Sequence, residues 1–472
     1  MTEAESNAGY LTEPIASTAS DPAAEEPVGA FFHRADFYSL GVTTLVSMMV
    51  YLATLAPEVT LGDSGLLATS AAYGGVARPP GYPAWTLYAW LFVKLLPISN
   101  VAWRVAVSSA VASALASGLV ALMASRGGLM LLENSARFAK WDSQDQKLLG
   151  GVCGFAAGMV FGFSSTVWRE VVLVETWAFT ALLFTLSLCL ITRWMFRPSR
   201  RRWLYGSFFI FGLLLTGNQE YLALTPAYLA LIIMGDRELG RDLSVPLAIL
   251  ELFFWVATIG EPKWLNSYWL GYFSFYQNDP FLWAFLVVGI GAARAVILTR
   301  RYGTRWKQVV VCVFALLAGL GFYFYLPLAS MANPPMNWGY PRTVEGFFHA
   351  ISRGQYERYH PTYGILALWN QLQWLIRDTA KGFGWPYFAL VVLPFCILHR
   401  TGKDARRWLL GLFAVFFCAG PVILAALNPS FERAAFDLIQ PHFIPMYTLL
   451  AIWTGLGLML VGSRIAKPRP PS

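Results

Sequence analysis

Asp63 is the carboxylate with the clearest chemical setting. It follows the first long apolar run by about seven residues and stands in Gly62-Asp63-Ser64-Gly65. Ionised at neutral pH, it can take a proton from a hydroxyl as a general base, or it can cap a helix that begins at Ser64. Arg78, Arg169, Arg353 and Arg433 are cations at the ends of apolar runs. Each can hold a phosphate group through charge-assisted hydrogen bonds, or it can snorkel to lipid headgroups. Glu175 and Glu220 also lie at run ends, where a carboxylate is either functional or paired with an arginine such as Arg169. The stretch Asn333–Pro341 is stiffened by Pro334, Pro335 and Pro341, and it holds Asn337 and Trp338 as a hydrogen-bonding and stacking pair or as a loop plug. Tyr82, Tyr356, Asn218, Asp437 and His442 are further candidates for contacting a substrate. His349, His360 and His442 are dispersed and the five cysteines form no CxxC, so neither a metal nor a cofactor is expected. All five cysteines are expected to be free, buried thiols.

The elements that position these residues are membrane spans. The 472 residues are 56% hydrophobic and only 13% charged, about half the charge of a soluble domain. That balance excludes a disordered chain, a coiled coil and a disulfide-stapled secreted domain, and the long unbroken apolar runs exclude a porin-type barrel. A net charge of +8 is no sign of nucleic-acid binding in such a chain. About twelve spans are expected: Phe37–Ala56, Val101–Ala124, Leu148–Val167, Val171–Met195, Trp203–Thr216, Tyr221–Met234, Leu243–Ile259, Phe281–Leu298, Val309–Leu328, Trp385–Leu398, Trp408–Leu427 and Phe443–Val461. Lysine and arginine gather in alternate loops, which places both termini in the cytosol. Residues 1–34 read as a disordered tail, 35–463 as one membrane domain and 464–472 as a basic tail. Two long loops, Pro57–Asn100 and Ser330–Gly384, fall on the outer face. The first holds two amphipathic interfacial helices, with Trp85, Tyr88 and Trp90 as anchors. Gly150, Gly154, Gly158 and Gly162 make one smooth helix face for close packing.

The run Gly62–Pro97, with Asp63-Ser64-Gly65 and Pro79-Pro80-Gly81-Tyr82-Pro83, resembles a polytopic glycosyltransferase family of the GT-C type, formerly a domain of unknown function. Its animal members include the transmembrane O-mannosyltransferase of plexin- and MET-type receptors. Trp168 and Glu175 fit the family's next pattern, with Trp177 in place of tyrosine. Tyr325–Tyr356 is the most specific stretch, and the likeness extends from about Pro57 to Leu458. Two positions depart from the pattern: Leu66 stands where the family has Glu, and Arg78 where it has His.

The resemblance implies an all-α, GT-C-like membrane enzyme that takes a sugar, mannose or another hexose, from a polyprenyl phosphate to a Ser or Thr hydroxyl of a protein. Asp63 would be the base, and Arg353, Arg78, Arg433 and Arg169 the phosphate ligands. Asn337 and Trp338 would meet the sugar. Leu66 removes a carboxylate beside Asp63 and puts in doubt any mechanism that needs two. The active site is expected on the periplasmic or lumenal face, with a bacterial inner membrane as the setting. The competing reading is a transporter or a lipid-linked-sugar flippase, which should show repeats and charges at mid-membrane; neither is present in the sequence. A scaffold that has lost activity is the third reading, prompted by Leu66.

Overall fold

In the computed structural model, residues 31–259, 294, 297, 299, 301–353, 355, 362 and 364–466 are described. Most of the expected tails 1–34 and 464–472, the eighth expected span Phe281–Leu298 apart from two residues, Tyr356 and His360 lie outside the described residues. α1 begins at Arg34 and the last helix runs to Ile465, so the ends of both tails are helical.

The first helix, α1 (Arg34–Thr54), buries Asp36, Ser39, Thr43, Ser47 and Tyr51, a polar stripe at helical spacing. Phe37, Val42, Leu45, Met49 and Leu52 face outward. A helix with its polar stripe inside and its large apolar residues outside is suited to lipid, not to water. The stripe meets the glycine row of α5 (Ser143–Gly162). Ser39 Oγ donates to the Gly151 carbonyl at 2.9 Å and Tyr51 OH to that of Gly162 at 2.8 Å. A methyl group on Gly154 or Gly158 would strike the backbone of α4 (Val101–Leu132), so the row lets three helices approach closely.

Small residues fill α4, which packs on α1, α5, α7 (Trp177–Phe196) and the last described helix, Ile444–Ile465. This helix runs on past Ala124 and takes in Arg126, expected in a cytosolic loop. Arg126-Gly127-Gly128 contains no breaker strong enough to end it, and Trp408 and Met459 pack over the two glycines.

The chain is an all-α, multi-pass membrane protein. Six described helices are long and apolar enough to cross, seven if α5 and α6 (Ser165–Val171), bent by 67°, make one span. Several other expected spans are short or interrupted. α8 (Arg202–Leu215) has 14 residues, about 21 Å of helix. Tyr221–Met234 divides into a 3₁₀ turn, Gln219–Leu224, and α9 (Thr225–Gly235), with Pro226 in the first turn. Leu243–Ile259 forms the greater part of α10 (Arg237–Ile259). Trp385–Leu398 is broken between Trp385–Leu390 and Leu393–Cys396, each with a proline, Pro386 or Pro394, as its second residue. Cys396 is exposed, and the other four cysteines are buried and free.

The two long loops meet. The first forms α2 (Ser64–Tyr73) and α3 (Pro83–Leu95). The second follows the helix Tyr325–Met331 and carries Val344–Ile351. They join at a parallel bridge, with Val76 N–H donating to the Met336 carbonyl at 2.9 Å and Trp338 N–H to that of Val76 at 3.1 Å. Beside the bridge, Gly75 passes so close to Met336 O that any side chain would collide with it. Of the expected interfacial anchors, only Trp90 is exposed. Trp85 is buried, and Tyr88 stacks on Phe179 and donates to the Ser108 carbonyl at 2.8 Å. α3 therefore packs on the helices, because its aromatic face matches α4 and α7.

Candidate active site

Asp63 stands at the N-cap of α2, but its side chain makes no capping hydrogen bond. The carboxylate turns instead to Arg78 and forms an ion pair with its guanidinium; each side chain is about one-third exposed (32%). Gly81 (φ +88°) and Tyr82 (φ +46°) then turn the chain into α3, whose first residue is Pro83. Gly81 has left-handed backbone and Leu326 packed against it, so it is required twice over. Tyr82 is buried here.

Glu175 lies two residues before α7, outside the span. Its carbonyl accepts from Ser109 Oγ of α4 at 3.2 Å. Burial, with the Glu170 and Asp63 carboxylates nearby, lifts the Glu175 carboxyl from the ordinary 4.5 to about 7, against the pull of Arg78 and of the Thr176 N–H. Asp63 is therefore not the solitary carboxylate expected from the loss of Glu at position 66. Leu66 itself packs on the apolar cluster of Leu67, Trp85 and Val105.

A second constellation is built on the turn after α8. Glu220 Oε1 lies 2.6 Å from His442 Nδ1 and accepts from Asn218 Nδ2 at 3.1 Å. Its other oxygen lies 3.4 Å from Arg353 Nη1. Asn218 Oδ1 accepts from Thr180 Oγ1 at 2.7 Å. The Trp177 ring meets the His442 ring edge-on, with centroids 4.6 Å apart. Burial opposes ionisation of Glu220, but His442 and Arg353 together outweigh it and hold the carboxyl well below its ordinary value. Arg353 follows Val344–Ile351 with φ +57°, and so the second long loop reaches the first half of the chain. Gln219 fastens the same loop through the Ile351 carbonyl and donates to Tyr323 OH, ahead of the loop, at 2.9 Å.

Other expected residues among those described make no direct contact with Asp63, Glu175 or Glu220. Arg169 pairs with its neighbour Glu170 at 2.9 Å, not with Glu175 or Glu220. Arg433 is 92% exposed and lies 3.7 Å from Asp437, one turn on; no described contact ties either to the carboxylates. Asn337 donates to the Ser330 carbonyl at 3.2 Å, and its buried Oδ1 has no hydrogen-bond partner among the described residues. Trp338 is exposed, with its indole N–H on Gln355 Oε1 at 2.6 Å. Among the described residues, no three His, Cys, Asp or Glu side chains are grouped to hold a metal ion.

Glu170, Gln219 and Tyr323 were not singled out from the sequence. For Glu170 the signal was present, since Arg169-Glu170 is an adjacent pair of opposite charge. The meeting of Glu220 with His442, 222 positions apart, has no sequence signal.

Residues 63–240 match the family model for the protein O-mannosyl-transferase TMEM260 N-terminal domain. The match begins at Asp63 and takes in Arg78, Tyr82, Glu175, Asn218 and Glu220. Over this stretch the chain is similar to an O-mannosyltransferase family. The protein O-mannosyl-transferase tmem260 of Dictyostelium discoideum is 22% identical over 355 residues, which is 73% of this chain and 34% of that one. The TMEM260 protein of Mus musculus is 34% identical over 144 residues, 30% of this chain and 18% of the other. The chain thus spans about a third or less of the length of these relatives. Among solved structures, ArnT from Cupriavidus metallidurans bound to undecaprenyl phosphate is 14% identical with a TM-score of 0.38, covering 89% of this chain and 59% of ArnT.

Proposed function

We propose that the protein is a membrane glycosyltransferase of the GT-C type, moving a sugar from a polyprenyl-phosphate donor to a protein Ser or Thr hydroxyl on the non-cytosolic face. The observation that carries this reading is the Asp63–Arg78 pair, with Glu175 near it, at the start of the stretch that matches the O-mannosyltransferase family. Asp63, ionised and held by Arg78, takes the proton of the acceptor hydroxyl as its oxygen bonds to the anomeric carbon. The bond from that carbon to the phosphate oxygen breaks, and the phosphate leaves with the electron pair. Arg78 is shared between Asp63 and the phosphate, so donor binding loosens its hold on the base as the base is needed.

Glu175 serves as the second carboxylate in place of the one absent at Leu66, and it exchanges protons near neutrality. Glu220 acts differently. Buried and matched by His442 and Arg353, it positions those two groups and does not itself accept the proton. Asn337 Oδ1 offers a hydrogen-bond acceptor to a sugar hydroxyl, and Trp338 an exposed ring.

The test is transfer of radiolabelled mannose from a synthetic polyprenyl-phosphate mannose to a Ser/Thr-containing protein by the purified chain, beside counterflow of the same donor in proteoliposomes. Labelled acceptor supports the reading. Counterflow with no labelled acceptor would establish a carrier or flippase instead.

A further inference from the structure

Two helices that pass beside the carboxylates end at a polar cavity. α4 touches Glu175 through Ser109, and Ile444–Ile465 starts two residues after His442. Their far ends line a cavity of about 520 Å³ together with Arg137, Arg400 and Thr401. From Ser109 to Leu131, and from Ile444 to Arg464, is roughly 30 Å of helix at 1.5 Å per residue, about the thickness of a hydrocarbon core. Along these helices the cavity therefore lies about one membrane thickness from Glu175 and Glu220.

Three guanidinium groups, Arg137, Arg400 and Arg464, line it. Arg137 donates to the Arg464 carbonyl at 2.9 Å and Arg400 Nε lies 3.0 Å from His399 Nε2. Among the described residues no carboxylate forms an ion pair with any of the three, whereas Arg78, Arg169, Arg241, Arg305 and Arg353 each have at least one. Arginines at helix C-termini also complement the helix dipole, which accounts for part of their presence. Two C-termini supply only about half a negative charge each. Three guanidiniums exceed that by roughly two charges, more than enough to hold the single negative charge of a lipid phosphodiester. The rest of the wall includes Leu131, Leu132, Phe138 and Leu460, an apolar surface that a free anion does not need and a lipid does.

We propose that this cavity binds the phosphate headgroup of an anionic membrane lipid on the face opposite the carboxylate cluster. Guanidinium groups recognise phosphate oxygens in pairs, and basic pockets between spans are suited to such headgroups.

The full chain is purified in detergent and titrated with dioleoyl phosphatidylglycerol, dioleoyl phosphatidylcholine or inorganic phosphate. Bound lipid is counted by native mass spectrometry, and thermal unfolding is followed in parallel. The phosphatidylglycerol should be retained and should raise Tm, with phosphatidylcholine and inorganic phosphate much weaker. The double variant Arg400→Gln/Arg464→Gln leaves the bond from Arg137 to a backbone carbonyl in place and should bind phosphatidylglycerol at least about tenfold more weakly. Arg377→Gln, an exposed arginine on Ile365–Phe383, should bind it as the parent does. The Tm of each variant without lipid reports folding, and Arg400→Lys/Arg464→Lys, which keeps the charge, should retain much of the binding if the Gln pair misfolds. Inorganic phosphate binding as well as phosphatidylglycerol would overturn the lipid assignment. Undiminished phosphatidylglycerol binding by the Gln variant, with parental Tm, would overturn the site.

Discussion

Replacing Glu175 with Gln tests whether its environment disfavours a charge. The carboxyl is lifted from 4.5 to about 7, and each unit is about 1.4 kcal/mol, so the ionised side chain costs the fold up to about 3 kcal/mol. The sign follows from proton counting. Between pH 4.5 and 7 the folded protein keeps a proton that the unfolded chain has lost, so this group's contribution is full below 4.5 and is lost as pH rises through 7. Glu175→Gln keeps the shape and removes the titration. At about 2.1 cal/mol/K per residue, unfolding a chain of this length carries an entropy near 1 kcal/mol/K. The variant should therefore gain roughly 3 °C over the parent between pH 4.5 and pH 8. The assay is thermal unfolding of both proteins in one detergent at half-unit pH steps. If the two Tm curves run parallel across that range, burial and the neighbouring carboxylates do not act on Glu175 as described, and its assignment as a near-neutral proton carrier fails with them.

Glu220→Gln should show the opposite sign. Its lowered carboxyl contributes stability that is present above pH 4.5 and lost as pH falls below it, and removing one partner of a buried pair costs about 3–5 kcal/mol at pH 7; urea or thermal unfolding at pH 7 and pH 4 reads the difference. Gly75→Ala should push Met336 away and loosen the junction of the two long loops by about 1–3 kcal/mol, seen as faster tryptic cleavage at Arg342 with the spans intact. Arg78→Ala should weaken donor use by a charged hydrogen bond, about 1.5–3 kcal/mol in kcat/KM, while Arg433→Ala, far more exposed, should leave the donor KM near the parent's; equal losses in both would move the phosphate site away from Asp63.

Much of the helical frame was legible because lipid imposes long apolar runs, and Pro83 and Asp63 mark the starts of α3 and α2 directly. The glycine row in α5 was legible for the same reason, since four glycines on one face leave little but close packing. What failed to read were features decided by partners. Arg126 sits inside α4 because Trp408 and Met459 cover the glycines after it. Trp85 and Tyr88 are typical interfacial residues by type, yet α4 and α7 offer them a better surface than the headgroups do. Arg78 and Arg353 stood out as phosphate ligands, but their pairing with Asp63 and Glu220 comes from chain segments that only the fold brings together. Glu175 was visible as an acid near a span end, and only its burial in the fold, with the Glu170 and Asp63 carboxylates near it, shows why it should titrate near neutrality.

The most direct test of the central claim is mannosyl transfer by Asp63→Asn, measured with labelled polyprenyl-phosphate mannose at pH 7.5 and saturating acceptor. Asn keeps the size and the ability to cap a helix while abolishing basicity, and Asp and Asn rank together at that position. The Asp63 side chain makes no capping bond, so the account predicts parental thermal stability to within about 1 kcal/mol and a kcat lowered by about 10²–10⁴. Turnover within a factor of about two of the parent would contradict it and remove Asp63 from the reaction.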